Sequence, residues 1–381
     1  SITGSFTVTG SKLNIDADGN ITSLGSVTAN QYIVSSSVTN ISIATNSGST
    51  AFGDSGDDIH RFTGSLDISG SRISFDDGKQ NIAIGTNSIG ASGFTGTTNI
   101  AIGENAMLDA NGANTNYNIV IGYNAGKSFG ANNVYSNILI GRQAGMNINS
   151  GDASNTIAIG TNAGIDITSG QRNLLIGTEA GTNISTSDDN TAIGYNAMHG
   201  NDSTAGTGTG RNTGMGSSVL YAITTGQQNV AIGTSAGSTL TTTSHTVLIG
   251  HNAGLAINST DANGTVAIGM EAGKAITSGA SNVAIGYEAL KTTTTGLRNI
   301  AIGYEAMHDT DAGSSSSDSD NNIFIGYTAG GGAWADAKSE FNVAIGSNVM
   351  QGVLNGAVYN SALGYFALAS VTSGDKNVAV G

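Results

Sequence analysis

The sequence predicts an all-β protein, a parallel β-solenoid of about 17 coils that follows a shorter β-rich segment. A five-residue motif based on Asn-x-Ala-x-Gly returns seventeen times, with Thr156, Thr246 and Thr265 in place of the asparagine and Asn212–Gly216 as the weakest match. Its closing glycines are most often 17 residues apart. A fixed period of this kind is typical of stacked repeats, in which each unit contacts only its neighbours. Isoleucine and valine recur at fixed places in every unit, a regularity that disordered chains lack.

Composition excludes several classes of function. The chain has a net charge of −14, which argues against a nucleic-acid partner, because such partners require clustered Lys and Arg. The same charge argues against electrostatic binding to an acidic membrane. No run of 18 apolar residues is present, so we expect no membrane insertion. The absence of cysteine decides nothing about location by itself.

Residues 1–80 differ from the repeats and form a predicted β-rich entry or shaft segment with an internal duplication. The alternating stretch Lys12-Leu13-Asn14-Ile15-Asp16 and the turn Asp18-Gly19 return as Arg72-Ile73-Ser74-Phe75-Asp76 and Asp77-Gly78. Alternation of this kind favours short, half-buried strands, and Asp-Gly favours a tight turn between them. The repeats then occupy residues 81–381. The chain starts at Ser1 without Met and stops inside a repeat, so we interpret it as a piece of a longer protein.

Each pentapeptide is predicted to be a short strand with two apolar faces. In Asn81-Ile82-Ala83-Ile84-Gly85 the two isoleucines lie on one face and the alanine on the other, because side chains alternate along a strand. One face is therefore bulky and the other small, a pattern typical of a strand buried on both sides.

A second, weaker strand is predicted after each closing glycine. An apolar residue returns seven positions later in many units, and with it each unit would supply two strands and two turns, enough for one coil. These residues are Ile148, Ile167, Ile184, Ile223, Leu240, Ile257, Ile276 and Val371.

The constant residues of the unit have predicted structural roles. The closing glycines are expected at corners that need positive φ or a close backbone approach; the first four are Gly85, Gly103, Gly122 and Gly141. The asparagines are expected to stack as an amide ladder that bonds its neighbours and the turn backbone; the first four are Asn81, Asn99, Asn118 and Asn137. The alanines three residues after a glycine suggest a second tightly packed point: Ala106, Ala125, Ala144 and Ala163. Seventeen coils at ~4.8 Å would make a stack of roughly 80 Å.

No constellation of catalytic, cofactor-binding or metal-binding residues is evident, so we expect no enzyme activity and no cofactor. The histidines are dispersed and are expected at the surface: His60, His199, His245, His251 and His308. Three carboxylate pairs could offer oxygen ligands to calcium, although solvated loops are favoured: Asp188 with Asp189, Asp309 with Asp311, and Asp318 with Asp320. Threonine runs at 241–243 and 292–295 suggest an ice-binding surface. The runs do not recur coil after coil, which argues against the flat regular array that such a surface needs.

Aromatic residues and expanded loops are the remaining candidates for contacts. Trp334 is the one tryptophan, and on a loop it suits stacking on a sugar or a protein surface, with packing against its own solenoid as the favoured alternative. Tyr195, Tyr287, Tyr304 and Tyr327 follow corner glycines and predict an outer aromatic ladder. The largest expansions lie at 200–211, 309–321 and 330–341.

Two units, Asn190–Met198 and Asn299–Met307, resemble the head repeats of trimeric autotransporter adhesins and, more strongly, the arrays of phage tail-fibre proteins and large bacterial surface proteins. The segment Phe62–Gly70 looks like segments of phage fibre proteins. The resemblance implies a left-handed parallel β-roll, an extracellular location on a virion tail or cell surface, and attachment to a host, prey or surface receptor, possibly a glycan.

A bulky apolar face along a thin roll would leave a long hydrophobic stripe in water, which predicts a homo-oligomer. Three parallel copies are favoured and a higher ring is the alternative. The predicted function is a structural component of an extracellular fibre that mediates attachment. The alternative is a glycan-binding or glycan-cleaving fibre module that acts through the expanded loops.

Overall fold

The computed structural model describes residues 13–15, 21–23, 79–90, 94–110, 115–129, 134–149, 153–200, 210–310 and 318–381. The chain divides into two compact units, Ser1–Arg72 and Ile73–Gly381. In the first unit, strands β1 (Leu13–Ile15) and β2 (Ile21–Ser23) form an antiparallel pair with Leu13 opposite Ser23. The other strand and turn predictions for residues 1–78 lie outside the described residues.

The second unit is a parallel β-solenoid, so the predicted fold class is confirmed. Seventeen strands of three residues each form one parallel ladder, in which every strand between the two ends pairs with the strand before and the strand after it in the chain. They are β3 Ile82–Ile84, β4 Ile100–Ile102, β5 Ile119–Ile121, β6 Ile138–Ile140, β7 Ile157–Ile159, β8 Leu174–Ile176, β9 Thr191–Ile193, β10 Thr213–Met215, β11 Val230–Ile232, β12 Val247–Ile249, β13 Val266–Ile268, β14 Val283–Ile285, β15 Ile300–Ile302, β16 Ile323–Ile325, β17 Val343–Ile345, β18 Ser361–Leu363 and β19 Val378–Val380. A short 3₁₀ helix, Thr260–Ala262, lies between β12 and β13.

The register of the ladder is the same at each step. Ile100, Ala101 and Ile102 lie opposite Ile119, Val120 and Ile121, and equivalent residues pair throughout. Ile119 donates its backbone N–H to Asn137 O at 2.8 Å, and Gly122 donates to Ile102 O at 2.8 Å, so each coil bonds the coils on both sides. Because side chains of one kind stack on themselves, one chemical choice per position serves the whole stack.

The middle residue of each strand points into the core. It is fully buried from Ala101 in β4 to Ala344 in β17, and a few strands carry Leu or Phe there. The predicted alanines Ala106, Ala125, Ala144 and Ala163 are also fully buried. The first and third residues of the strands face outward and are half-buried to exposed, so within one chain the strands are covered on one face and not on two.

The second strand predicted in each unit is wrong. Ile148, Ile167 and their equivalents are not part of a strand, and a run of turns precedes them. The backbone in that run has positive φ at the second and fourth residues after the corner glycine, for example at Gln143 (59°) and Gly145 (55°). An extended strand cannot form through alternating left-handed residues. The side chains are nevertheless core residues, since all except the partly buried Val371 are almost fully buried.

Candidate functional site

The most prominent candidate site is the outward face of the solenoid, which we define as the first and third residues of strands β3–β19. These residues form two parallel columns in register, and all are apolar except Thr191, Thr213 and Ser361. Ile232 is 38% exposed and Ile345 is 40% exposed, while most of the others are half-buried against their neighbours in the column. A continuous apolar face of this length is typical of a surface that binds another molecule.

Exposed aromatic residues lie along one edge of the outward face. Tyr287, Tyr304 and Tyr327 each follow a corner glycine, and their rings stack with centroids 5.1 and 5.3 Å apart. The predicted aromatic ladder therefore exists for these three residues. Tyr195 is not part of it, because the equivalent residues on the neighbouring coils are Thr178 and Ser217. The stacking hides most of each ring face and leaves the ring edges exposed, so the ladder is a poor platform for sugars.

A second aromatic pair lies at the opposite edge. Phe341 and Tyr359 immediately precede the asparagines of β17 and β18, and their rings stack at 5.1 Å with planes 8° apart. Both side chains are exposed. The C-terminal part of the outward face is thus bordered by aromatic rings on both sides.

Trp334, the candidate for an external contact, is buried. Its side chain is 0% exposed, its indole N–H donates to Gly330 O at 2.9 Å, and its ring packs against Phe324 with centroids 5.7 Å apart. The favoured alternative, packing against its own solenoid, is therefore the one that the structure shows, and Trp334 offers no external contact surface. The middle residue of β16 is the bulky Phe324, and the expanded loop 330–341 folds the tryptophan onto it, which satisfies the one polar atom of the ring.

The asparagine ladder lies inside the solenoid and is structural. Asn118 donates its backbone N–H and its Nδ2 to Asn99 Oδ1, both at 3.0 Å, and its Nδ2 also donates to Val134 O at 3.0 Å. Asn99 and Asn137 repeat the pattern, and the ladder asparagines from Asn99 to Asn360 are almost fully buried. Each buried amide is thus satisfied by the coils on both sides.

The corner glycines also have the predicted geometry. Gly85, Gly103, Gly122 and Gly141 have φ between 122° and 138°. A Cβ added at Gly141 would lie 2.4 Å from Gly160 O in the next coil. These positions fix the distance between coils and offer no chemical group to a ligand.

A second column of polar residues was not predicted from the sequence. The residue two positions after each corner glycine has positive φ, and Asn87, Asn105 and Asn124 form a side-chain ladder there with Nδ2–Oδ1 distances of 3.2 and 3.1 Å. Its signal was the recurrence of Asn, Gln, Glu and Ser at that position, residues that pair well with themselves or with their neighbours.

Charged residues take over this column between β13 and β15. Glu271 contacts Lys274 Nζ at 2.8 Å and Lys291 Nζ at 3.1 Å, and Lys291 also contacts Glu288 at 3.0 Å. The hydrogen bond from Lys274 lowers the pKa of Glu271 to about 2; burial opposes this shift and a further hydrogen bond from Lys291 adds to it. His308 Nε2 lies within hydrogen-bond distance of Glu288 Oε2, at 2.8 Å, so this histidine contacts the network of ion pairs.

The carboxylate pairs do not form a calcium site within the described residues. Asp188 and Asp189 pair with Arg172 at 3.5 and 2.6 Å, and they line an open pocket with Arg211 and Gln227. Asp320 accepts the Leu297 N–H at 2.6 Å, Asp318 lies 3.9 Å from Lys338, and Asp311 lies outside the described residues. No group of three potential metal ligands occurs in the described part of the chain.

The threonine runs are used for contacts between coils. Thr224 donates its hydroxyl to Thr241 O at 3.0 Å, Thr241 donates to Asn258 O at 3.1 Å, and Thr292 donates to His308 O at 2.9 Å. Hydroxyls that bond the next coil are not presented as a flat array to solvent, which fits the sequence argument against an ice-binding surface.

Comparison with known proteins identifies no relative. No protein-family model matches the sequence, and no curated protein matches it either. Across the described ranges, no helix has both the length and the apolar character needed to cross a bilayer.

Proposed function

We propose that this protein is a structural component of an extracellular fibre, and that copies of it associate through the outward face. The observation that carries the proposal is the unbroken run of apolar residues over β3–β8 and again over β11–β17, presented on a rigid parallel ladder. Burial of such a face against another copy removes apolar surface from water at about 25 cal/mol per Å².

Three parallel copies around a common axis are the arrangement we propose first, with a higher ring as the alternative. Parallel copies related by rotation place the outward faces together along the whole stack, and closed rotational symmetry is the usual outcome for identical chains. The role is mechanical: the fibre spaces or presents a site of attachment to a host, prey or other surface. We propose no catalytic activity.

The test is the mass of the assembly in solution. The double variant Ile159→Asp and Ile176→Asp places two carboxylates in the third-residue column of neighbouring strands β7 and β8. An unpaired buried charge strongly disfavours an interface, so the variant is expected to sediment as a single chain where the wild type forms an oligomer. Circular dichroism checks that the β-structure persists.

The matched control carries the same charge change on exposed loop residues, as Asn149→Asp with Asn258→Asp. It is expected to keep the wild-type mass. If the outward-face variant keeps that mass too, the outward face is not the interface and the proposal fails.

A further inference from the structure

We propose that Thr191, Thr213 and Ser361 set the axial register in which copies of this chain associate, so that each strand of one copy lies level with the same strand of its neighbours. The inference rests on the proposed self-association and specifies its geometry. These are the only polar residues on the outward face, all three in the first-residue column.

Without them the register would be poorly defined. The third-residue column is isoleucine in every ladder strand except β10, β18 and β19. A copy that slides by one strand spacing, about 4.8 Å, exchanges one isoleucine for another and keeps nearly all of its apolar contact. Uniform surfaces of this kind specify register weakly. A staggered arrangement also fails to close into a ring and instead grows as an open filament.

The three hydroxyls supply the missing specificity. Thr191 and Thr213 are direct neighbours in the ladder, since β9 pairs with β10 in register. Within the described residues, none of the three hydroxyl groups has a hydrogen-bond partner in its own chain. Buried opposite valine or leucine, a hydroxyl loses its water without a new partner, whereas opposite its own counterpart in another copy it both donates and accepts.

One alignment satisfies all three residues. With parallel copies level, Thr191, Thr213 and Ser361 each face themselves and all seventeen strands overlap. After a shift of one strand, Thr213 of one copy still meets Thr191 of the next. The remaining Thr191 then faces Leu174 and the remaining Thr213 faces Val230. The serines at position 361 face Val343 in one copy and Val378 in the other. Two hydroxyl positions are then mismatched at the middle of the face and two more near its end.

An antiparallel arrangement is less favourable. If β9 of each copy lies opposite β10 of the other, Thr191 faces Thr213 twice. In that arrangement β17–β19 of each copy extend beyond the partner, and Ser361 has no residue opposite it. Three strands of apolar face then stay in water. The parallel, level arrangement matches more hydroxyls and covers more of the outward face, and on both counts it is the preferred one.

The chain has no cysteine, which makes a direct test simple. Val283→Cys and Ile285→Cys place probes on β14, and Ile268→Cys places one on the neighbouring strand β13. Pairs of single-cysteine chains are co-expressed, the oligomer is purified and oxidised, and the disulfides are identified by mass spectrometry. Disulfides within β14 are expected to exceed those between β14 and β13 by at least about tenfold, which corresponds to about 1.4 kcal/mol.

The same probes are then placed in a chain with Thr191→Val, Thr213→Val and Ser361→Val. Valine is close to threonine in shape and favours strands, so folding is preserved. The preference for β14–β14 disulfides is expected to fall towards equality, and the mass distribution is expected to broaden as staggered assemblies form. Adding Val247→Thr and Val266→Thr, which moves the paired hydroxyls to β12 and β13, is expected to restore both the preference and the single mass.

The outcomes separate the two proposals. A wild-type protein that remains a single chain overturns both the proposed function and this inference. An oligomer whose β14–β14 preference is unchanged by the three valines overturns the inference alone. Disulfides between Ile285→Cys and Ile121→Cys on β5 would identify the antiparallel arrangement and would also overturn it.

Discussion

At the corners of the solenoid, the glycines are required twice over, by their backbone angle and by the closeness of the next coil. Gly269 has φ of 134°, a value that a residue with a side chain rarely adopts, and an added Cβ would lie 2.3 Å from Gly286 O. Since the neighbouring atom belongs to the backbone, it cannot move aside as the end of a flexible side chain could. The spacing of the whole ladder depends on these positions.

We therefore expect Gly269→Ala to destabilise the solenoid by about 3 kcal/mol or more, the combined cost of the backbone angle and the overlap. Gly210→Ala is the control, because Gly210 has no positive φ and an added Cβ would be 3.5 Å from its nearest neighbour, Asp188 O. The measurement is the free energy of unfolding in denaturant. Equal losses in the two variants would contradict the explanation.

Thr156 is a defect in the asparagine ladder. Its N–H donates to Asn137 Oδ1 at 2.9 Å, but its buried hydroxyl oxygen has no hydrogen-bond partner among the described residues. On the next coil, Asn173 donates Nδ2 to Ser187 O at 2.8 Å and accepts the Asn190 N–H at 2.9 Å. An asparagine at 156 would reach the corresponding carbonyl of Gly170 and the N–H of Asn173.

Thr156→Asn is thus expected to stabilise the protein by about 1 kcal/mol, the usual net gain from a buried hydrogen bond. Thr156→Val is the comparison, because it removes the unpartnered hydroxyl without completing the ladder, and its gain should be smaller. Melting temperatures of the three proteins give the order. If valine stabilises as much as asparagine, completion of the ladder is not the cause.

Residues that repeat could be predicted, and residues that occur once could not. The roles of Asn118 and Gly122 were evident from the sequence because the same residue returns at the same place in coil after coil. Trp334 lies in an expanded loop with no counterpart, so no period indicated which way its side chain points. Its ring packs against Phe324, which occupies the middle position of β16 where most strands have alanine.

Between one coil and the next, the core is filled by complementary pairs of residues. In most coils whose fourth residue after the corner is glycine, the seventh is large, as with Gly273 and Ile276. In the next coil the fourth residue is the buried Leu290 and the seventh is Thr293. An added Cβ at Gly273 would lie 2.9 Å from Ile276 Cδ1, so a side chain at position 273 would compete with Ile276 for space in this coil.

A double-mutant cycle tests this exchange. Gly273→Met alone is expected to cost about 2 kcal/mol through overlap with Ile276, and Ile276→Thr alone a similar amount through lost packing. Together they recreate the buried pair Met307 and Thr310 found two coils on, and the new hydroxyl lies one coil from Thr293. The expected coupling is at least about 1 kcal/mol in favour of the double variant. Additive losses would show that the two positions do not share one space.

Ion pairs between coils add a dependence on pH. Because Lys274 and Lys291 lower the pKa of Glu271 to about 2, its carboxylate stabilises the fold above its ordinary pKa of 4.5, and this contribution disappears as the pH falls from 4.5 towards 2. Wild type is expected to melt above Glu271→Gln at neutral pH, and the difference should shrink over that interval. A difference that is constant down to pH 2 would contradict the linkage.

The short strands were predictable because bulky and small apolar residues alternate within the pentapeptide. The second strand was predicted wrongly because one apolar residue per coil carries no period of its own. Left-handed residues such as Gln143 and Leu290 give no strong signal in sequence, since neither is glycine. The core position of Ile148 was thus visible, but the turn that brings it there was not.

Across the whole solenoid, the sequence determined the class of fold and the presence of an apolar face, while the extent of that face needed the structure. Alternation predicts that Ile159 and Ala158 lie on opposite faces, but it cannot say which face the chain covers itself. The packing of Ala163 and Ile167 against the alanine face answers this and leaves the isoleucines outward.

The uniform register of the strands has a consequence for how such a protein changes over generations. Removing residues 286–302 would join Ile285 directly to Gly303, and the junction would carry the same Ile-Gly pair as most other corners. Genetic duplication or loss of one unit therefore lengthens or shortens the stack by a single step without any redesign elsewhere. Recombination can therefore adjust the length of the solenoid in steps of one coil.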